Sequence, residues 1–208
     1  MLSILQAAGW PIIPLLLCSV VALAIIIERA LSLRAARVAP ARLVDEVIAV
    51  TRGAMPSQDT VAKLADNSTL GMVLAHGLQA ATEPRATEQH LRGALESAGR
   101  QAAYVLERNL NALGTIAAAA PLLGLLGTVI GMIEIFGVSG SNQGGNPQEL
   151  AHGISIALYN TAFGLIVAIP ALVAHRHFRT RVDGYLLQME QAADRLVPHL
   201  LRLSSPRR

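Results

Sequence analysis

The sequence predicts an all-α membrane protein with three transmembrane helices and an extended helical domain on the cytoplasmic side, and three observations carry that prediction. The 208-residue chain is 52% hydrophobic and only 15% charged, with a mean hydropathy of +0.45, too apolar for an ordinary soluble domain. Three uncharged runs, Trp10 to Ile27, Ala112 to Ile133 and Gly153 to Ala174, are each long enough to cross a hydrocarbon core of roughly 30 Å at about 1.5 Å per residue. Every Lys and Arg lies between Arg29 and Arg108 or from Arg176 onward. By the positive-inside rule those segments are cytoplasmic, with the N-terminus out and the C-terminus in. The same placement argues against taking the net charge of +3 as the footprint of a nucleic-acid partner.

In chain order, residues 1–33 hold the outer N-terminus and the first transmembrane helix. Nothing before Trp10 is positively charged, so an uncleaved span fits better than a secretory signal with a basic n-region. Trp10 suits the outer interface, and Pro11 and Pro14 fall in the first helical turns, where a missing N–H costs little. Arg29, Arg34, Arg37 and Arg42 mark the inner flank. Residues 34–111 turn to a charged cytoplasmic helical domain with apolar positions at helical spacing: Leu43, Val44, Val47 and Ile48, then Leu70, Val73, Leu74 and Leu78. Breaks are expected at Gly53 to Pro56 and at Asn67-Ser68-Thr69, the latter a helix start. After Pro84, with Thr87 as N-cap, Leu91, Leu95, Ala98, Ala102, Val105 and Leu106 form a stripe with no breaker behind it. One long helix is therefore predicted from Thr87 to Phe136, taking in the second transmembrane helix at 112–136. Residues 137–150 make the periplasmic loop, free of Lys and Arg as external connections favour. The third transmembrane helix occupies 151–175. Residues 176–208 continue as a cytoplasmic amphipathic helix through Leu186, Leu187, Met189, Ala193, Leu196 and Leu200 to a basic tail.

The two inner spans are lined with small residues. Ala117, Pro121, Gly124, Thr128 and Gly131 share a face of one, where Gly127 and Gly131 also make a GxxxG; Gly153, Ala157, Thr161, Gly164, Ala168 and Ala171 recur at spacings of three or four in the other. Such stripes let helix backbones approach closely in lipid, which makes Gly124, Gly127, Gly131, Gly153, Ala157 and Gly164 candidate packing residues. Thr128 and Thr161 lie on these stripes about 12 Å and 15 Å in from the outer ends. Each is either a hydroxyl bonded back to its own helix or a polar group on a path through the membrane. Asn160, beside Thr161, is either a helix–helix hydrogen bond or part of that path. Glu134 falls at the outer rim. Other chemistries find little support. Cys18 is single, so one chain can form neither a disulfide nor a Cys-based metal site. His76 and His90 lack metal-ligand spacing, and His175 and His177, two apart on a helix, suit anchors facing anionic headgroups better than chelators. No nucleophile elbow, P-loop or metal cluster points to an enzyme, and no cofactor is expected. Three dissimilar spans lack the repeats of a self-contained transporter. A passive membrane scaffold stays open, because it needs the same stripes and long helices.

Pro121-Leu-Leu-Gly124-Leu-Leu-Gly127-Thr128-Val-Ile-Gly131-Met132, followed by Gly153-Ile-Ser155-Ile156-Ala157-Leu158-Tyr-Asn160-Thr161-Ala162-Phe-Gly164-Leu165-Ile-Val-Ala168-Ile169-Pro170, resembles the signature of the MotA/TolQ/ExbB proton-channel family. Motif order and the three-span layout extend the likeness over nearly the whole chain, closest to the ExbB branch and next to TolQ. The resemblance implies a homo-oligomer, a pentameric ring, whose second and third spans surround the single-span helices of an ExbD-like partner in the bacterial inner membrane. It implies a complex that uses the proton-motive force to energise a TonB-like protein for outer-membrane import of iron complexes and cobalamin. A TolQ-like part in the Tol-Pal envelope system is the alternative. Thr128, Thr161 and Asn160 are then the candidates for the proton path. One departure stands out: ExbB and TolQ proteins carry a glutamate five residues before the third-span threonine, where this chain has Ile156. Neither inner span then supplies a carboxylate, and the proton-binding group is expected from an Asp in the partner's span.

Overall fold

Hydroxyl side chains start several of the helices. In the computed structural model, which describes residues 10–53, 55–83, 86–139 and 147–204, Ser57 Oγ accepts from the Thr60 amide at 3.4 Å, Ser68 Oγ from Gly71 at 3.0 Å and Thr87 Oγ1 from His90 at 3.2 Å. Each satisfies an amide of a first turn that has no partner within its helix. The helices are α1 (Ile12–Ser32), α2 (Ala35–Val38), α3 (Leu43–Thr51), α4 (Gln58–Asn67), α5 (Thr69–Ala81), α6 (Glu88–Glu107), α7 (Leu110–Ser139) and α8 (Pro147–Ser204). No strand occurs among the described residues. Helical stretches long and apolar enough to cross a membrane lie within Ile12–Ser32, Glu88–Gly137 and Gly153–Leu203.

The single helix predicted from Thr87 to Phe136 is instead two. Arg108 is extended (φ −50°, ψ 139°) and Asn109 is left-handed at φ 65°. The hydrogen-bond ladder restarts beyond them, with the Leu113 amide donating to the Asn109 carbonyl at 3.1 Å. Asparagine is one of the few residues that take this conformation at little cost. The connection expected at 137–150 is also shorter: α7 runs to Ser139 and α8 begins at Pro147, whose missing N–H is harmless at a first helical position. Residues 140–146 lie outside the described residues, as do the side chains of Glu134, His152 and Ile156. Helix α4 was not foreshadowed by apolar spacing, and it buries only Val61.

The chain divides into two units, Met1–Glu28 with Asn109–His177, and Arg29–Arg108 with Phe178–Arg208. In the first, Leu15, Ala120, Val167 and Ala168 form a buried cluster, joined by Cys18, Ile116, Leu123 and Phe163, so α1 packs on both inner helices. Its outside is apolar, with Leu17, Val20, Leu122, Ile133, Ile166 and Val173 exposed, the surface that a bilayer or a neighbouring helix covers. The second unit is built the other way round. Leu74 and Leu78 of α5, Leu91 and Leu95 of α6, and Leu196 and Leu200 of α8 are buried, each stabilising by roughly 1.5–3 kcal/mol relative to exposure. Gly77 brings α5 so near that a Cβ there would lie 2.7 Å from Leu95 Cδ2. Several buried polar groups of this unit are hydrogen-bonded, whereas the buried Ser32 Oγ has no hydrogen-bond partner among the described residues. Arg29, 5% exposed, donates to the Leu106 carbonyl at 3.2 Å, a cation at the negative end of α6. Tyr185 donates to the Leu33 carbonyl at 2.9 Å. Thr51 donates to the Val47 carbonyl at 2.7 Å and meets His199 Nε2 at 2.7 Å. Its single proton is used on the carbonyl, so it accepts from the imidazole N–H.

Candidate functional site

In lipid, two helices close on each other only as far as their side chains permit. On α7 and α8 glycines set that limit. A Cβ on Gly124 would lie 2.7 Å from the Asn160 carbonyl oxygen and 3.0 Å from Thr161 Cα, and one on Gly164 would lie 2.6 Å from the Ala120 oxygen. Gly127 faces the Asn160 side chain, with Cβ to Cβ at 2.9 Å, Gly131 faces Ala157 at 3.4 Å, and Gly153 is pressed by Ile135. The six packing candidates therefore all sit at close approaches along one antiparallel seam.

The seam fixes the threonines. Gly127 opposite Asn160 and Gly131 opposite Ala157 put Thr128 at a level between those two α8 residues. Thr161 is then about 2–3 Å further along the seam toward its His175 end, at about 1.5 Å per residue. With 3.6 residues per turn, each threonine lies roughly 60° off the centre of its own helix's buried face. Because the helices are antiparallel, both rotations lead to the same side of the hairpin. Both residues are half-buried. Thr128 Oγ1 donates to the Leu125 carbonyl at 2.7 Å, which leaves its lone pairs facing outward. With Val129, Met132, Ile133 and Phe136 it lines an open groove.

Asn160 has a different place from the threonines. It is 2% exposed and seated in the seam, with a Gly127 Cβ position 3.0 Å from its Nδ2. Sequence reasoning missed the inner end of the seam, where His175 packs on Gly114, a Cβ there falling 3.0 Å from the ring Nε2. The available signal was Gly114 itself, since a glycine inside a helix costs about 1 kcal/mol relative to alanine and wants a packing reason. Among the described residues no group of three His, Cys, Asp or Glu side chains could hold a metal ion. The arrangement offers two hydroxyls on one side of a closed helix pair, able to orient hydrogen bonds but not to hold a proton for long.

Residues 65–191, more than half of the chain, match the MotA/TolQ/ExbB proton channel family. A biopolymer transport protein of Synechocystis sp., ExbB-like 3, is 38% identical over 177 residues, 84% of this chain and 83% of that one. The chain belongs to the MotA/TolQ/ExbB proton channel family. Its likeness to other members is more local. The biopolymer transport protein exbB1 of Vibrio cholerae is 40% identical over 82 residues, 39% of this chain and 36% of that protein. The Tol-Pal system protein TolQ of Haemophilus influenzae is 37% identical over 105 residues, 49% of this chain and 46% of that protein. The chain thus spans under half the length of these two relatives. The stretch matched to the proton channel family takes in all of α5, α6 and α7 and most of α8, and so the whole seam.

Proposed function

We propose that this chain is an ExbB-like channel subunit of the bacterial inner membrane, N-terminus out and C-terminus in. It assembles as a pentameric ring around the single-span helices of an ExbD-like partner and couples the proton-motive force to a TonB-like protein for outer-membrane import of iron complexes or cobalamin. The observation that carries this reading is the pair of hydroxyls, Thr128 and Thr161, on one side of a seam closed by Gly124, Gly127 and Gly164.

A proton crossing hydrocarbon needs a titratable carrier or a water chain. With Ile156 in the third span and no charged residue between Gly153 and Ala174, the chain supplies orienting hydroxyls and no carboxylate, and an Asp in the partner's span supplies the carrier. Asn160, enclosed in the seam beside Thr161, adds an amide to the polar lining of that path. Proteoliposomes test the assignment. The purified chain alone should conduct no protons above background, flux should appear on co-reconstitution with the partner, and changing the partner's Asp to Asn should abolish it. Conduction by the chain alone, or full flux with the Asn variant, would overturn it.

The match to TolQ over 49% of the chain favours a second reading, a TolQ-like part in an envelope system. Deletion separates the two: lost uptake of iron complexes marks the first, and detergent sensitivity with intact uptake marks the second.

A further inference from the structure

Ion pairing divides the cations of the second unit into two populations. Lys63 pairs with Asp59, Arg92 with Glu88 and Asp194, Arg100 with Glu96, Arg195 with Asp45, and Arg179 with Glu107 and Asp183. Arg34, Arg37, Arg108 and Arg181 are exposed and make no ion pair or hydrogen bond among the described residues. Their positions are not scattered. Arg34 follows the end of α1 by two residues, with Arg37 one turn on; Arg108 precedes the start of α7 by two; Arg181 lies on α8 seven residues beyond Ala174, the last of the third uncharged run. Each passage of the chain from an apolar run into the second unit therefore carries at least one unpaired guanidinium.

The same three passages are tied together within the unit. Arg29 Nη1 donates to the Leu106 carbonyl at 3.2 Å, Arg179 Nη1 pairs with Glu107 Oε1 at 3.2 Å, and the Tyr185 hydroxyl donates to the Leu33 carbonyl at 2.9 Å. The carboxylates nearest along the chain to Arg108 and Arg181, Glu107 and Asp183, are both engaged by Arg179; Asp45, nearest to Arg37, pairs with Arg195, and Glu28, nearest to Arg34, accepts from Asn109 Nδ2 at 3.5 Å. Along the chain, Arg34 and Arg181 come seven residues after the ends of their apolar runs and Arg108 four residues before the start of its own. The headgroup layer extends about 5–8 Å past the hydrocarbon on each side, within reach of an arginine side chain. A guanidinium matches phosphate oxygens in a bidentate fork and is less strongly hydrated than an ammonium.

We propose that Arg34, Arg37, Arg108 and Arg181 form a collar that binds the headgroup phosphates of anionic phospholipids in the leaflet they adjoin. The proposal rests on the three-span reading above. It sets the collar apart from Arg42, which is also exposed and makes no ion pair or side-chain hydrogen bond among the described residues but comes fifteen residues after Ile27, and from Arg52 and Arg202, which likewise lack partners there but flank His199. Arg202 lies about 42 Å along α8 from Ala174 at helical rise, beyond headgroup reach.

The test uses the full chain in vesicles of phosphatidylcholine and phosphatidylglycerol in equal parts, with spin-labelled versions of each lipid reporting which is motionally restricted by the protein. The wild-type chain should prefer phosphatidylglycerol, on the order of fivefold per engaged arginine at low salt and less as salt rises. The combined Arg34→Gln, Arg37→Gln, Arg108→Gln and Arg181→Gln variant should restrict both lipids equally, and Arg108→Gln or Arg181→Gln alone should lose part of the preference. Arg52→Gln with Arg202→Gln, tested as a pair, should keep it. Preference retained in the fourfold variant, or lost equally in the distal pair, would overturn the collar. So would unchanged lipid preference with lost binding of an acidic protein partner, which would make that partner the occupant. Resistance to alkaline extraction is measured in parallel, and a wild-type chain that fails it would overturn the three-span reading and the collar with it.

Discussion

Replacing Gly124 by alanine should force α7 and α8 apart. The added Cβ would lie 2.7 Å from the Asn160 carbonyl oxygen, 3.0 Å from Thr161 Cα and 3.3 Å from Gly164 Cα, whereas carbon contacts settle at about 3.5–4.0 Å. All three obstructing atoms are backbone, so no rotamer change relieves them, and the helices must separate locally by about 0.5–1 Å. Overpacking of this kind costs about 1–3 kcal/mol, against about 1 kcal/mol recovered by removing a glycine from a helix. The net expectation is a loss of about 0–2 kcal/mol. Gly164→Ala, whose Cβ would meet the Ala120 oxygen at 2.6 Å, should behave alike. At Gly93 and Gly184 a Cβ meets nothing within 4 Å, and the same substitution should gain up to about 1 kcal/mol. Unfolding of the full chain in mild detergent, followed by loss of helical circular dichroism, reads the sign at each position. Gly124→Ala stabilised as much as Gly93→Ala would refute the claim that backbone contact closes the seam. Because the parting also shifts Thr128 against Thr161, partner-dependent proton flux should fall in Gly124→Ala while the oligomer still forms.

Thr128→Val and Thr161→Val keep side-chain volume and remove the hydroxyl, so assembly should persist while energy-dependent uptake drops. Undiminished uptake in both variants would return the two residues to a packing role. In the second unit, burial first, then the Arg52 and Arg202 cations, lower the pKa of His199 below the usual imidazole value of 6.5. The folded state thus favours neutral His199, and the unfolded chain binds the proton more readily. Its contribution to stability is full above the unfolded value and is lost as pH falls through the lowered folded value. Denaturation midpoints between about pH 5 and 7 should rise with pH, and His199→Gln should flatten that slope; an unchanged slope counts against the assignment. In a Cys18→Ser background, cysteines introduced at Ser141 and Ser204 should label from opposite sides of the membrane, and labelling of both from one side would sink the proposed topology.

Fold class and membrane character were legible because they depend on properties the sequence states outright: uncharged run length and the segregation of Lys and Arg. The caps at Ser68 and Thr87 were legible for a related reason, since a hydroxyl ahead of an apolar stripe acts within a few residues. The break at Arg108 and Asn109 was not. The apolar stripe of α6 and the apolar run of α7 continue on either side of it, and left-handed asparagine leaves no mark on periodicity. In the seam, small residues announced that some helix would come close, but not which. The pairing of Gly124 with Thr161, or of Gly114 with His175, depends on the register between helices separated in sequence. The same limit applies to Asn160. Its neighbour Thr161 is one residue and about 100° away on the helix, and only the partner helix decides which of the two is enclosed.

The joint at Asn109 also bears on how the chain is made. A single helix from Glu88 would present the insertion machinery with a rod whose first half is charged and whose second half is greasy, the one resisting what the other demands. With the amide ladder broken and begun again at Leu113 on the Asn109 carbonyl, α7 is a separate 30-residue helix. One left-handed asparagine therefore leaves the hydrogen bonding of the apolar helix independent of the charged helix that precedes it.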